Sequence, residues 1–121
     1  MSELATVTIE RRGDVTLARV AGELDMSNAD AVRERLLEAR ADGPLVLDLT
    51  AVDYLDSAWL AAMDRLARAV PGERGGLRLV CPPGAPSRRA LEVAGVDQLL
   101  PMHDSAEDAL STGRPEEPPQ R

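Results

Sequence analysis

Ser57, Cys81 and His103 carry the groups from which a catalytic or covalently modified centre would be assembled in this chain. His103 is the only imidazole and Cys81 the only thiol, which leaves no disulfide within the chain and no His/Cys cluster for a metal. A Ser57–His103 pair would need a third group to orient the imidazole, and His103, close after Pro101, reads as a surface loop residue. Six residues separate Cys81 from Arg88, one more than the spacing that lets backbone N–H groups ring a phosphate. Three of them, Pro82, Pro83 and Pro86, have no N–H to donate. Cys81 therefore reads as a buried, inert thiol. Neither catalysis nor a cofactor nor a metal ion is expected.

Ser57 is the more informative of the three, because it follows Asp56 and opens a helical pattern. A serine in the first turn of a helix is ordinarily a cap, its hydroxyl accepting a free backbone N–H. Asp25 precedes another helical pattern, where an acidic side chain suits the positive end of the helix dipole. Asp48 lies inside an apolar run and reads as a structural carboxylate that needs hydrogen-bond partners if buried.

The elements that must position these residues are legible from periodicity. Thr6 to Glu10 alternates polar with apolar residues, and Arg12-Gly13 makes the turn into a second strand over Asp14 to Ala21. A helix is predicted over Ser27 to Ala41, with Ser27 and Asp30 as a capping pair and Ala29, Val32, Leu36 and Ala39 on one face. Leu45 to Leu49 reads as a central strand covered on both sides. Ser57 to Val70 is predicted as a second helix with Leu60, Met63, Ala67 and Val70 on its core stripe, ended by Pro71-Gly72. A strand over Leu77 to Cys81, a helix from Ser87 to Ala94, a strand around Gln98 to Met102 and a last helix capped by Ser105 complete the pattern. The fold class is thus α/β, a mixed sheet in which an N-terminal antiparallel hairpin is followed by parallel strands.

With 121 residues the chain fits one domain, able to bury roughly two-thirds of the surface its unfolded form exposes. Aromatics make up only 2%, so the core must be built from Leu, Val and Ala, and Trp59 and Tyr54 stand out. A formal charge of −7 disfavours nucleic acid or an anionic membrane surface as partner. All fourteen basic residues are Arg, to which no functional weight attaches. No apolar run approaches the ~20 residues of a membrane span, and Met1-Ser2-Glu3 lacks the layout of a signal peptide, so a cytoplasmic protein is expected. Residues 112–121, with Gly113-Arg114-Pro115-Glu116-Glu117-Pro118-Pro119 and no apolar side chain to bury, read as a disordered tail behind a domain over 1–111.

Gly22-Glu23-Leu24-Asp25, Leu47-Asp48-Leu49-Thr50 and Tyr54-Leu55-Asp56-Ser57 occur in this order, followed by Leu77-Arg78-Leu79-Val80 and Ser87-Arg88-Arg89-Ala90-Leu91. From about Leu4 to Leu110 the chain resembles the STAS family, of the anti-sigma-factor-antagonist type. The resemblance implies a mixed sheet with helices packed mainly on one face. It also implies a function: binding an anti-sigma factor of the serine-kinase type, with Ser57 as phosphate acceptor and a phosphatase acting on it. The partner-binding set it implies is Asp25, Met26, Asp56, Ser57, Ala58 and Trp59, in a protein that is a monomer or weak dimer. Family members usually continue after the acceptor with a second Ser or Thr and a Gly before Leu, whereas this chain has Ala58 and Trp59 before Leu60. That departure leaves open a second reading, a STAS module that binds partners in a sensory or membrane-transport complex without phosphorylation. Trp59, one residue before the predicted core stripe, lies where its ring either is partly exposed beside Ser57 as an interface anchor or folds onto Met63 as a core residue, and both readings stay open.

Because nothing in residues 113–121 can repay an ordering entropy of roughly 1–2 kcal/mol per residue, deleting them should leave the melting temperature unchanged. A drop of several degrees in a thermal scan would show instead that the segment docks.

Overall fold

The computed structural model describes residues 5–40, 43–70, 72 and 76–111. The order of elements is β1 (Ala5–Arg12), β2 (Val15–Leu24), α1 (Ala29–Ala39), β3 (Leu45–Leu55), α2 (Ser57–Ala69), β4 (Leu77–Val80), α3 (Arg88–Val93), a 3-10 turn at Val96–Gln98, β5 (Met102–His103) and α4 (Ala106–Ser111). The strands lie side by side in sequence order; β1 and β2 are antiparallel and the remaining pairs parallel. The expected mixed sheet is therefore present. The predicted tail and the predicted Pro71 helix stop fall outside the described residues.

Alternation along the strands sorts their side chains onto two faces. Ala18, Val20 and Leu24 of β2, Leu45, Leu47 and Leu49 of β3 and Leu77 and Leu79 of β4 join α1, α2 and Leu91 of α3 in the main core. Leu17, Val46 and Val80 point the other way and meet Ala106 and Ala109 of α4 in a smaller cluster. Three helices thus cover one face and the short α4 part of the other.

β3 runs to Leu55, well past the strand predicted over Leu45 to Leu49. Arg19 pairs with Asp48 but Ala21 with Ala51, and Gly22 pairs with Val52 but Glu23 with Tyr54, so β3 carries one extra residue at each of two places. At the first bulge the Asp48 carboxylate accepts hydrogen bonds from the Thr50 N–H (2.9 Å) and the Thr50 hydroxyl (2.6 Å). Arg19 Nε approaches the same carboxylate at 3.7 Å. Between the bulges the buried Ser87 hydroxyl donates to the Val52 carbonyl at 2.7 Å, so Ser87, the N-cap residue of α3, ties the start of that helix to β3. A simple period-two pattern stops at Leu49 because these bulges break the alternation.

Other expectations are corrected at element ends. α1 starts at Ala29 after Asn28, and Ser27 turns back to Asp25, so Ser27 and Asp30 form no capping pair. The segment around Gln98 is a 3-10 turn introduced by Gly95 in the left-handed region (φ 81°), and β5 is confined to Met102–His103. Ser105 does cap α4, its hydroxyl accepting the Asp108 N–H at 3.1 Å.

The largest correction concerns Trp59, whose ring is 0% exposed within the main core. The buried face of α2 is Trp59, Ala62, Met63 and Leu66, with Leu60 and Ala67 only partly buried. This stripe has the i, i+3, i+4, i+7 spacing of an amphipathic helix but is rotated by about one residue from the predicted one. In a chain with no Phe, rotating the largest apolar side chain inward fills volume that Leu and Val leave open. The ring is therefore not an exposed interface anchor.

Trp59→Ala should cost about 3–5 kcal/mol in urea denaturation, the range for emptying a large aromatic site. Since the indole Nε1 is buried without a hydrogen-bond partner among the described residues, Trp59→Phe should cost less. Equal, negligible losses for both variants, or easy quenching of the native indole fluorescence by acrylamide, would show that the ring lies outside the core.

Candidate functional site

The paired ends of β2 and β3 build the site. Leu24 and Leu55 are register partners, and the Asp56 N–H donates to the Leu24 carbonyl at 3.1 Å. Asp25 and Asp56 consequently leave neighbouring parallel strands at the same end of the sheet, one leading into α1 and the other into α2. The carboxyl ends of parallel strands are where open α/β sheets commonly place their ligands.

Asp56 is the N-cap of α2, in extended conformation (φ −122°, ψ −174°), its carboxylate accepting the Trp59 N–H at 3.2 Å. Its carbonyl accepts the Leu60 N–H at 3.1 Å. Ser57 is the first helical residue, not the cap. Its side chain is exposed, and its hydroxyl makes no hydrogen bond among the described residues. The capping role expected of Ser57 has passed to Asp56, whose carboxylate is the better partner for the positive end of the helix. Ala58 is half-buried behind it.

The loop from β2 to α1 is held by its own side chains. Asp25 Oδ1 accepts from the Ser27 hydroxyl (2.6 Å) and the Ser27 N–H (2.9 Å). The hydroxyl bond is the chief reason its carboxyl lies below the ordinary carboxylate range, with the N–H bond second and partial desolvation opposing both. Asn28, which the sequence reading passed over, bridges the loop: its Oδ1 accepts the Asp25 N–H at 3.0 Å and its Nδ2 donates to the Glu23 carbonyl at 2.9 Å. With both ends tied, Met26 projects from the loop 82% exposed. Tyr54, paired with Glu23 on the neighbouring strand, is also exposed. The signal for Asn28 was its position before a helix, where asparagine is a favoured cap; here it bonds the preceding loop instead.

The rival nucleophiles are not gathered here. Cys81 is buried, and burial pushes its thiol pKa up, away from the thiolate that would react. Arg88 donates through Nη1 to the Cys81 carbonyl (2.6 Å) and through Nε to Glu92 (2.8 Å). His103 lies on β5, half-buried and not in the surface loop expected for it, and no hydrogen bond joins it to Ser57. Among the described residues no group of His, Cys, Asp and Glu is placed to hold a metal ion, and no helix is long and apolar enough to cross a membrane.

The sequence profile of the STAS domain matches residues 6–109. The chain belongs to the STAS family. It is 32% identical over 111 residues to the anti-sigma-F factor antagonist RsfB of Mycobacterium tuberculosis, across 88% of this chain and 87% of that protein. Over 108 residues it is 29% identical to the anti-sigma F factor antagonist of Paenibacillus polymyxa, across 87% of this chain and 92% of that one. The crystal structure of an anti-sigma factor antagonist from Mycobacterium paratuberculosis superposes with a TM-score of 0.79 at 30% identity, covering 90% of this chain and 93% of the other. The resemblance read from the tetrapeptides is thereby shown at the level of family and type.

Asp56→Ala should lower stability by about 1 kcal/mol, the usual loss on removing a helix cap, whereas Ser57→Ala should change it by a few tenths at most. Thermal unfolding followed by circular dichroism separates them; a larger loss at Ser57 would mean that its hydroxyl is the cap. The Asp25 contribution is present above the ordinary carboxyl pKa of 3.8 and should be lost as pH falls through its lower folded value, visible as release of the Ser27 amide signal.

Proposed function

We propose that this STAS domain is an anti-sigma-factor antagonist that binds an anti-sigma factor of the serine-kinase type and is switched off by phosphorylation of Ser57. Through that exchange it controls transcription dependent on the sigma factor. The observation that carries the proposal is the division of roles at the start of α2. Asp56 caps the helix and leaves the Ser57 hydroxyl exposed and uncommitted, so phosphate can be added and removed without dismantling a structural bond.

The electrostatics agree with a switch in binding and not in folding. A phosphate adds about −1.5 to −2 charge, and at a helix N-terminus such charge is stabilised by typically 0.3–1 kcal/mol. A partner surface fitted to the neutral serine would instead meet a dianion near Asp25 and Asp56. If repulsion and desolvation together cost about 3 kcal/mol, affinity falls roughly a hundredfold. Asp25, Met26, Asp56, Ser57 and Ala58 form the partner-facing set; Trp59 leaves it and supports it from the core. A phosphatase that returns Ser57 to its free form completes the cycle, in a cytoplasmic protein acting as monomer or weak dimer. The reading as a phosphorylation-independent scaffold drew on Ala58 and Trp59, and the burial of Trp59 gives that residue a packing role instead.

In calorimetric titrations with the kinase-type anti-sigma factor, Ser57→Asp should bind about a hundredfold more weakly while Ser57→Ala keeps native affinity, both remaining folded. Equal affinities for the two variants would remove the switch and leave the scaffold.

A further inference from the structure

Among the described residues, α4 is the helix that packs on the second face of the sheet, and it covers that face lightly. The cluster beneath it consists of Leu17, Val46 and Val80 from the strands against Ala106 and Ala109 from the helix, with Leu110 partly buried alongside. Two alanine methyl groups remove little apolar area from water, so hydrophobic burial by itself holds this six-residue helix weakly. One polar tether is Arg78, buried on β4, whose guanidinium Nη1 donates to the Ala109 carbonyl.

His103 belongs to this same layer. It pairs with Val80 across the β4–β5 register, and its Nε2 is buried with no hydrogen-bond partner among the described residues. The charged groups that face the imidazole are Arg78 from β4, Asp108 from α4 and Asp104 from the turn before it; Asp14 faces Arg78 from the β1–β2 turn. In the imidazolium form Nε2 is a buried N–H donor beneath the docked helix with no acceptor among the described residues, beside an existing guanidinium. A buried donor left unmatched is costly, and a like charge nearby adds to the cost.

We propose that helix α4 is an acid-released latch: it stays docked while His103 is neutral and lifts when Nε2 takes a proton, uncovering Leu17, Val46 and Val80 as an apolar strip on the second face. Burial is the largest influence on the imidazole and lowers its pKa below the ordinary 6.5; Arg78 lowers it further, while Asp108 and Asp104 act in the opposite direction. With the docked-state pKa depressed and the undocked imidazole solvated, the latch is held fully above pH 6.5. It weakens as pH falls from there through the docked-state value. The device is independent of Ser57, which lies on the helix covering the other face.

Amide hydrogen exchange by NMR on the full chain tests it. Between about pH 8 and about pH 5, the protection factor of the Ala109 amide, corrected for intrinsic exchange, should fall by up to about tenfold for each unit by which the docked imidazole pKa is depressed. That of Leu66 in the main core should hold. In His103→Gln the Ala109 protection should no longer depend on pH. Equal pH dependence in this variant and the native chain overturns the proposal, as does a flat profile in the native chain. Should the variant fold poorly, the native imidazole is titrated directly by its ring resonances. A depressed pKa shared with the Ala106 to Leu110 amide shifts supports the latch, and an unshifted pKa with static α4 signals refutes it.

Discussion

The parallel pairing of β2 with β3 is the constraint on which the remainder of the structure depends. Its register brings Leu24 beside Leu55 and so delivers two loops and two helix N-termini to one end of the sheet. That register is not the one an unbroken strand would produce. Each bulge advances β3 by one residue against β2, and without them Leu24 would face residue 53 and the following helix would start two residues out of place. The Asp48 carboxylate holds the first bulge through both Thr50 donors, and the Ser87 hydroxyl holds the carbonyl between the bulges. A carboxylate in the central strand is tolerated there because its hydrogen bonds are supplied by the irregularity it stabilises.

Downstream of that pairing, four consecutive residues divide the work of α2. Asp56 satisfies the helix end, Ser57 is left exposed, Ala58 is half-buried, and Trp59 anchors the helix in the core. A side chain that had to cap the helix would exchange a structural bond for every modification. Moving the cap one residue earlier frees the hydroxyl, while the ring two residues later fixes the first turn against the sheet. In the loop that follows the neighbouring strand, Asn28 and Asp25 perform the equivalent fixing, and Met26 is exposed while the residues around it are tied back to the backbone.

How far the sequence disclosed this follows from the kind of signal each feature leaves. The hairpin, the α/β alternation and the core of β3 were legible because period-two and period-3.6 patterns are local. The second half of β3 was not, since a bulge breaks the alternation that marks a strand, and the predicted strand stops at Leu49. Trp59 was misplaced by one residue of helical phase, about 100° of rotation, because Leu60 and Ala67 offered an equally apolar stripe. The choice between the stripes is made by the sheet beneath, which takes the larger volume. Ser57 was found by its place after Asp56, but which of the two caps the helix depends on the backbone of Asp56, extended at φ −122° and ψ −174°.

The two faces of the sheet differ in how they can respond to a change of charge. On the first, α1, α2 and α3 share one continuous core with the strands, so a charge added at the exposed start of α2 has no lightly held element to displace. Its effect is confined to whatever surface approaches it. On the second face the same alternation leaves a thin layer, in which a buried arginine and a half-buried imidazole share the space under one short helix. Charge added there lies between elements instead of outside them, and the weakest element must yield before water can reach it. A single sheet thus presents a face suited to reporting charge through binding and another suited to reporting it through local opening. The difference follows from whether Leu and Trp or alanine fill the layer above the strands.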